Sequence, residues 1–247
     1  MESAAIGRRD PLRREPAAAA EVTGAWAPAD PGPLGLAAFA LTTFLLSAAN
    51  AGTFGQTGLS AKGPGTVPVV LSVALAYGGI AQLLAGMWEF RTGNTFGAVA
   101  FSSFGAFWIS FWAFLQFFAK DITNPTMLNH AVGLYLIAWG IFTAYMFIAS
   151  LRTTAAISLV FILLAATFFI LGFANYGGHT NGIKVGGWVG IATAVAAWYA
   201  SFAAVTNSTF ARTILPVIPL KREPGAAPAG PAAREATTPE RGPGGAS

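Results

Sequence analysis

Three runs of neutral hydrogen-bonding residues interrupt an otherwise apolar sequence. In the first, Thr43, Ser47 and Asn50 fall on one helical face, with Phe39 one turn earlier and Thr42 beside it. In the second, Gly78, Gln82, Gly86 and Glu89 lie near one face, alongside Tyr77. The third opens with Asn94 and Thr95 and continues through Ser102 and Ser103 among small residues and aromatics. Hydroxyls and amides in an apolar setting have two uses. They bond one helix to another, at about 0.6 to 2 kcal/mol per bond, or they replace water around a polar solute passing between helices. For a single Ser or Thr, helix packing is the ordinary use. For Asn50, Gln82 and Asn94 both uses stay open, because an amide is costly to leave unpartnered in hydrocarbon.

The ionisable residues are few. Glu89 is the only acid near one of the apolar runs, and Arg91, two residues on, does not share its helical face. An interfacial role and a gating or proton-handling role are both open for Glu89. His130 and His179 fall at the ends of apolar runs and read as interfacial. The sequence has no Cys/His spacing for a metal, no phosphate-binding loop and no Ser/His/Asp set with supporting context. With no cysteine, thiolate chemistry and disulfides are excluded. The expectation is a protein that is not an enzyme, with no catalytic residues, no metal and no cofactor. The Asn-Ser-Thr sequon at Asn207 reads as accidental, and the C-terminal tail lacks the basic-aromatic interleaving of a nucleic-acid binder.

What must position the polar runs is a membrane bundle. The chain is 54% hydrophobic and 10% charged, against about 25% charged in a soluble domain. Between Asp30 and Arg212 the only charged residues are Lys62, Glu89, Arg91, Lys120, Asp121, Arg152 and Lys184. Three regions follow: a disordered basic N-terminal tail over 1–29, a six-helix transmembrane domain over 30–218, and a disordered Pro/Gly/Ala-rich C-terminal tail over 219–247. Arg8 to Arg14 form a solvated basic stretch able to touch anionic lipid. No apolar segment follows closely enough to make a cleaved signal peptide.

Since a helix needs about 20 apolar residues to cross the hydrocarbon, the apolar runs give six spans, over 34–55, 67–90, 95–119, 129–150, 155–175 and 185–208. The breaks between them, Ser60–Pro68, Glu89–Asn94, Lys120–Thr126, Leu151–Thr154 and Gly177–Gly182, are turn-forming or charged. With six spans, 11 of the 14 basic residues lie on the side that holds both termini. The positive-inside rule makes that side cytoplasmic.

Longer stretches carry a resemblance. Residues Asp30 to Leu36 read DPGPLGL, and Tyr77 to Trp108 read YGGIAQLLAGMWEFRTGNTFGAVAFSSFGAFW. Gly133–Phe147, Gly186–Gly190 and Phe210–Val217 follow in order. Together these stretches resemble the acetate uptake transporters, which include bacterial succinate-acetate permeases and yeast acetate permeases, over about residues 30 to 218. The signature is Asp30, Pro31, Pro33, Leu34, Gly35 and Leu36; this chain departs from it in having Asp30 for Asn and Gly32 for Ala.

The resemblance implies an all-α membrane protein of the cell membrane, assembled as a homohexamer with one pathway per protomer. It implies transport of acetate, with succinate or other short carboxylates, by proton symport or by channel-like conduction. By the same resemblance Phe39, Phe104 and Leu164 form an apolar constriction, with Phe104 standing where the family often has Tyr. Thr42, Tyr77, Gln82, Asn94 and Thr95 become substrate-binding positions, and Asn50, Glu89 and Ala197 pathway or gating candidates.

Physical chemistry gives those donors a use. A short carboxylic acid, with a pKa of about 4 to 5, is anionic at neutral pH and meets a large desolvation cost in hydrocarbon. Neutral hydroxyl and amide donors lower that cost and still release the ion. A passive small-anion pore and a non-transporting membrane protein are the alternatives.

Overall fold

The computed structural model describes residues 28–54 and 66–220. The basic N-tail, most of the Ser60–Pro68 turn with Lys62, and the tail from residue 221 lie outside the described residues. The described residues form seven α-helices: α1 (Gly32–Ala51), α2 (Thr66–Leu75), α3 (Gln82–Thr92), α4 (Thr95–Ala113), α5 (Pro125–Ser150), α6 (Ala155–Tyr176) and α7 (Thr180–Thr209). A π-helical turn, Ala76–Ala81, fuses α2 and α3 into one span, and a π turn, Phe114–Phe118, followed by a 3₁₀ turn, extends α4 to Asp121. Six helices long and apolar enough to cross a membrane result.

Where helices stop follows from local chemistry. Gly52 and Gly93 end α1 and α3 with φ of 83° and 78°, the left-handed conformation glycine adopts without a side-chain clash. This ends the first span at Ala51 rather than 55 and carries the second to Thr92 rather than 90. Asn94 caps α4, its side chain accepting from Gly97 N, and Asn124 caps α5, accepting from Thr126 N and Met127 N ahead of Pro125 at the first helical position. That cap starts the fourth span at Pro125 rather than 129. The last span begins at Thr180 rather than 185: Gly178, at φ 69°, completes the turn, and His179 N already bonds to Ala174 O. The break needs two glycines, not the whole Gly177–Gly182 stretch.

α1 packs along α7, α7 on α6, α6 on α5, and α3 on α4, with only a thin seam between α4 and α5. Small residues allow the closest approaches. A Cβ on Gly78, in the π turn, would stand 2.6 Å from Thr42 Oγ1, and one on Gly187 would run into Ala51 N. The core is aromatic and aliphatic, centred on Phe39, Phe104, Phe107, Leu164 and Phe168, while Leu134, Ile148, Phe173, Trp188 and Phe202 remain exposed on the outer faces, as lipid-facing residues do. The start of α1 and the end of α7 lie together at one end of the bundle.

After α7 the chain turns back. Asn207 holds the turn, accepting from Ile214 N and Leu215 N and donating to Leu215 O. Residues 217–220 then run antiparallel to the α5–α6 connection, with Ala155 N bonded to Ile218 O and Leu220 N to Thr153 O. Pro219 and Leu220, which sequence reasoning puts in the tail, are thus pinned to the bundle.

Candidate permeation pathway

The first-helix signature builds the mouth of a cavity. Asp30 Oδ1, one residue ahead of the Pro31 N-cap, accepts from Gly32 N at 2.8 Å, a bond that an Asn side-chain oxygen could also accept. Pro33 O accepts from Ser201 Oγ at 2.7 Å, tying α1 to α7. Gly35 has no room for a side chain, since a Cβ there would stand 2.7 Å from the Phe101 ring. Leu36 is buried in the cavity wall and Leu34 is exposed.

This cavity is a vestibule of about 330 Å³ between α1, α4, α6 and α7, at the end where α1 begins. Asp30, Glu89, Asn94 and Asn207, with Thr153 and Thr154, make up its polar wall; Phe101 and Phe161 are among its apolar residues. Glu89 is buried at 2% exposure, so it faces inward instead of snorkelling, while Arg91 is exposed. The Thr92 hydroxyl lies 3.1 Å from Glu89 Oε2. Asn94 both caps α4 and lines the vestibule. Thr95 is exposed at the start of the same helix.

Beyond the vestibule the bundle interior is filled by aromatic rings. The Phe104 ring stands 6.1 Å from that of Phe161, which faces the vestibule, 5.8 Å from Phe39 and 6.4 Å from Phe168. Phe39, Leu164 and Phe168 line a second, small chamber of about 30 Å³ further along the bundle. Phe104 therefore stands between the two spaces, its ring beside Phe161 of the one and Phe39 and Phe168 of the other. Ala197 is fully buried in the same cluster, where a larger side chain would crowd the rings.

Thr43, Ser47, Trp108 and Thr167 bring hydrogen-bonding groups to the chamber wall. Thr43 Oγ1 and Trp108 Nε1 are buried with no hydrogen-bond partner. Thr167 Oγ1 is engaged, donating to Leu163 O at 2.8 Å and lying 3.2 Å from Thr193 Oγ1.

The sequence and fold that build these spaces are similar to those of known membrane proteins. Residues 16–222 match the GPR1/FUN34/yaaH family. The chain belongs to that family. Acetate permease A of Emericella nidulans is 41% identical over 203 residues, 76% of this chain and 65% of the permease, so this chain spans just under two thirds of that relative. The succinate-acetate/proton symporter SatP of Escherichia coli K12 is 36% identical over 189 residues, covering 76% of this chain and 95% of the symporter. The solved structure of the bacterial acetate channel SatP matches with a TM-score of 0.68 at 36% identity, over 77% of this chain and 99% of that one.

Set against this family fold, the residues singled out from sequence separate into groups. Phe39, Phe104, Leu164 and Ala197 come together in one cluster, and Asp30, Glu89 and Asn94 meet in the vestibule. Thr42 lines neither cavity: fully buried, its hydroxyl donates to Ala38 O at 3.0 Å and packs on Gly78. Tyr77 is half-buried in the π turn. Gln82 is fully buried, and both side-chain polar atoms lack a partner. Asn50 is buried at the far end of α1, under Gly187. Sequence reasoning missed Trp108, Thr167 and Thr193. Trp108 lies inside the long family-like block, but an indole among so many aromatics gives no sign of which atom lacks a partner.

Proposed function

We propose that the protein carries acetate and related short-chain carboxylates across the cell membrane, along a route inside each protomer. The observation that carries this is the order of spaces along the bundle: a polar-mouthed vestibule, the Phe39–Phe104–Leu164 constriction, and a chamber holding the free Thr43 and Trp108 donors. Apolar rings exclude large or hydrated solutes, and neutral donors replace water around a small anion without holding it tightly. The names of the fungal and bacterial relatives agree with this substrate class.

Proton symport is the preferred mode, supported by the relative named a proton symporter and by buried Glu89 facing the vestibule beside Asn94. Passive conduction is the second reading. The plug and chamber contain no ionisable side chain through which a proton could follow, and the structural relative is an acetate channel. Thr42, Tyr77, Gln82, Asn94 and Thr95 are proposed to act on the substrate, Thr42 and Gln82 by shaping α1, α3 and α4 around the constriction. Both termini are assigned to the cytoplasm from the distribution of Lys and Arg. The exposed apolar faces are assigned to lipid and to neighbouring protomers of a hexamer.

The test is uptake of labelled acetate into liposomes under an inward proton gradient, corrected for leak through empty liposomes. Protein-dependent accumulation above the leak control, abolished by a protonophore, supports symport. Faster equilibration to the control level without overshoot supports a pore. No protein-dependent uptake contradicts both readings.

A further inference from the structure

The return of the chain after α7 leaves a groove on the outside of the bundle. It holds about 690 Å³ between the first half of α6, the middle of α7 and residues 216–218. Leu159 and Val195, both exposed, are among its lining residues. Only Tyr199 brings a polar side-chain group to the lining, and its hydroxyl is spent on Pro216 O at 2.6 Å. From Ala155 to Leu163 the groove follows α6 for about 12 Å, at 1.5 Å per residue. One leaflet of the hydrocarbon is about 15 Å deep.

The end of the groove at Ala155 is flanked by basic residues. Arg152, exposed in the α5–α6 connection, stands three residues ahead of Ala155, and Arg212, exposed in the turn after α7, stands four residues ahead of Pro216. Leu220 N is bonded to Thr153 O, and the sequence continues directly with Lys221 and Arg222. No Asp or Glu occurs between Asp121 and Glu223. A second copy of the chain would bring the same basic connection to the same membrane level, like charge against like. A lipid with an anionic head brings the opposite charge.

We propose that this groove holds an acyl chain of an anionic phospholipid, whose phosphate is met by Arg152 and Arg212, with Lys221 and Arg222 close along the chain. The basic end is the one assigned to the cytoplasm, where the leaflet is rich in anionic lipid. Arginine suits the task because its planar fork pairs with two phosphate oxygens at once. The apolar lining takes the chain of any phospholipid, so the preference for a headgroup falls on the arginines.

The test titrates the full-length protein in detergent with dioleoyl phosphatidylglycerol or dioleoyl phosphatidylcholine, reading thermal unfolding, and bound lipid and oligomeric state by native mass spectrometry. At a hundredfold excess over its Kd, phosphatidylglycerol raises the unfolding temperature by about 5 °C or more, and phosphatidylcholine raises it less. Arg152→Gln with Arg212→Gln weakens phosphatidylglycerol binding about tenfold or more and erases the preference. Arg152→Lys with Arg212→Lys keeps the charge and most of the preference. Ala192→Phe fills the groove from an exposed position; it lowers binding of both lipids and leaves the unfolding temperature in lipid-free detergent unchanged.

Equal binding of the two lipids by the unmodified protein overturns the proposal, as does a phosphatidylglycerol preference that survives the double Gln substitution. Unchanged lipid binding in Ala192→Phe overturns it too, and if the oligomer is lost at the same time the groove belongs to a second copy. If the double Gln variant fails to fold, Ala192→Phe and the double Lys variant decide by the same criteria.

Discussion

Replacing Phe104 by Ala separates a structural ring from a gating ring. The side chain is 3% exposed and meets the rings of Phe39, Trp139, Phe142, Phe161 and Phe168 at centroid distances of 5.4 to 6.4 Å. Truncating so enclosed a phenyl group costs about 3 to 5 kcal/mol of stability. The same cavity joins the vestibule to the chamber and lets water accompany the anion through the narrowest point. If the ring contributes about 1.4 kcal/mol to the crossing barrier, its removal raises acetate flux about tenfold. Selectivity falls at the same time, with succinate gaining more than acetate. Phe104→Leu, which keeps most of the volume, gives a smaller effect in the same direction and guards against simple unfolding. The assay is uptake of both solutes in liposomes, with the folded fraction set by thermal unfolding in detergent. A folded Phe104→Ala protein with unchanged flux and an unchanged acetate-to-succinate ratio refutes the plug, leaving Phe104 as core packing.

Other perturbations test the parts around the plug. Gly78→Val sets a three-carbon side chain against Thr42 and lowers the unfolding temperature strongly, whereas Gly78→Ala is partly rescued by Thr42→Ala, a coupling that a double-mutant cycle measures. Asp30→Asn keeps the acceptor for Gly32 N and removes a negative charge from the vestibule. Initial acetate uptake at low ionic strength then rises about threefold or more, and the gain shrinks with added salt. Asn207→Ala removes three hydrogen bonds to residues 214 and 215, at about 1 kcal/mol each. Amide hydrogen exchange across 214–220 then quickens while α6 stays protected.

The six spans were legible because hydrophobic length and charge depletion are properties of composition, whereas the caps Asn94 and Asn124 emerged only with the structure. Gly52, Gly93 and Gly178 set the stops more sharply than the hydropathy did. Which face of a helix looks inward was not legible. Thr42 and Thr43 are adjacent and chemically alike, yet 100° of helical rotation sends one to the backbone beside Gly78 and the other to the chamber. That choice is made by which neighbour presents a glycine, a fact spread over two distant stretches of sequence. The clustering of Phe39, Phe104 and Leu164 was anticipated only through family resemblance, since they lie on three different helices with no local motif joining them. The return of residues 217–220 along the α5–α6 connection likewise depends on side-chain clamps such as Asn207, whose sequence context suggested only a sequon.

The most direct test of a route through the protomer uses the absence of cysteine from the sequence. A single Ala204→Cys places a thiol on the α7 wall of the vestibule, to be modified by a small negatively charged thiol reagent in liposomes while acetate uptake is followed. The account predicts that modification abolishes uptake in proportion to labelling and that acetate slows the labelling. Complete modification with uptake at the unlabelled rate would contradict it.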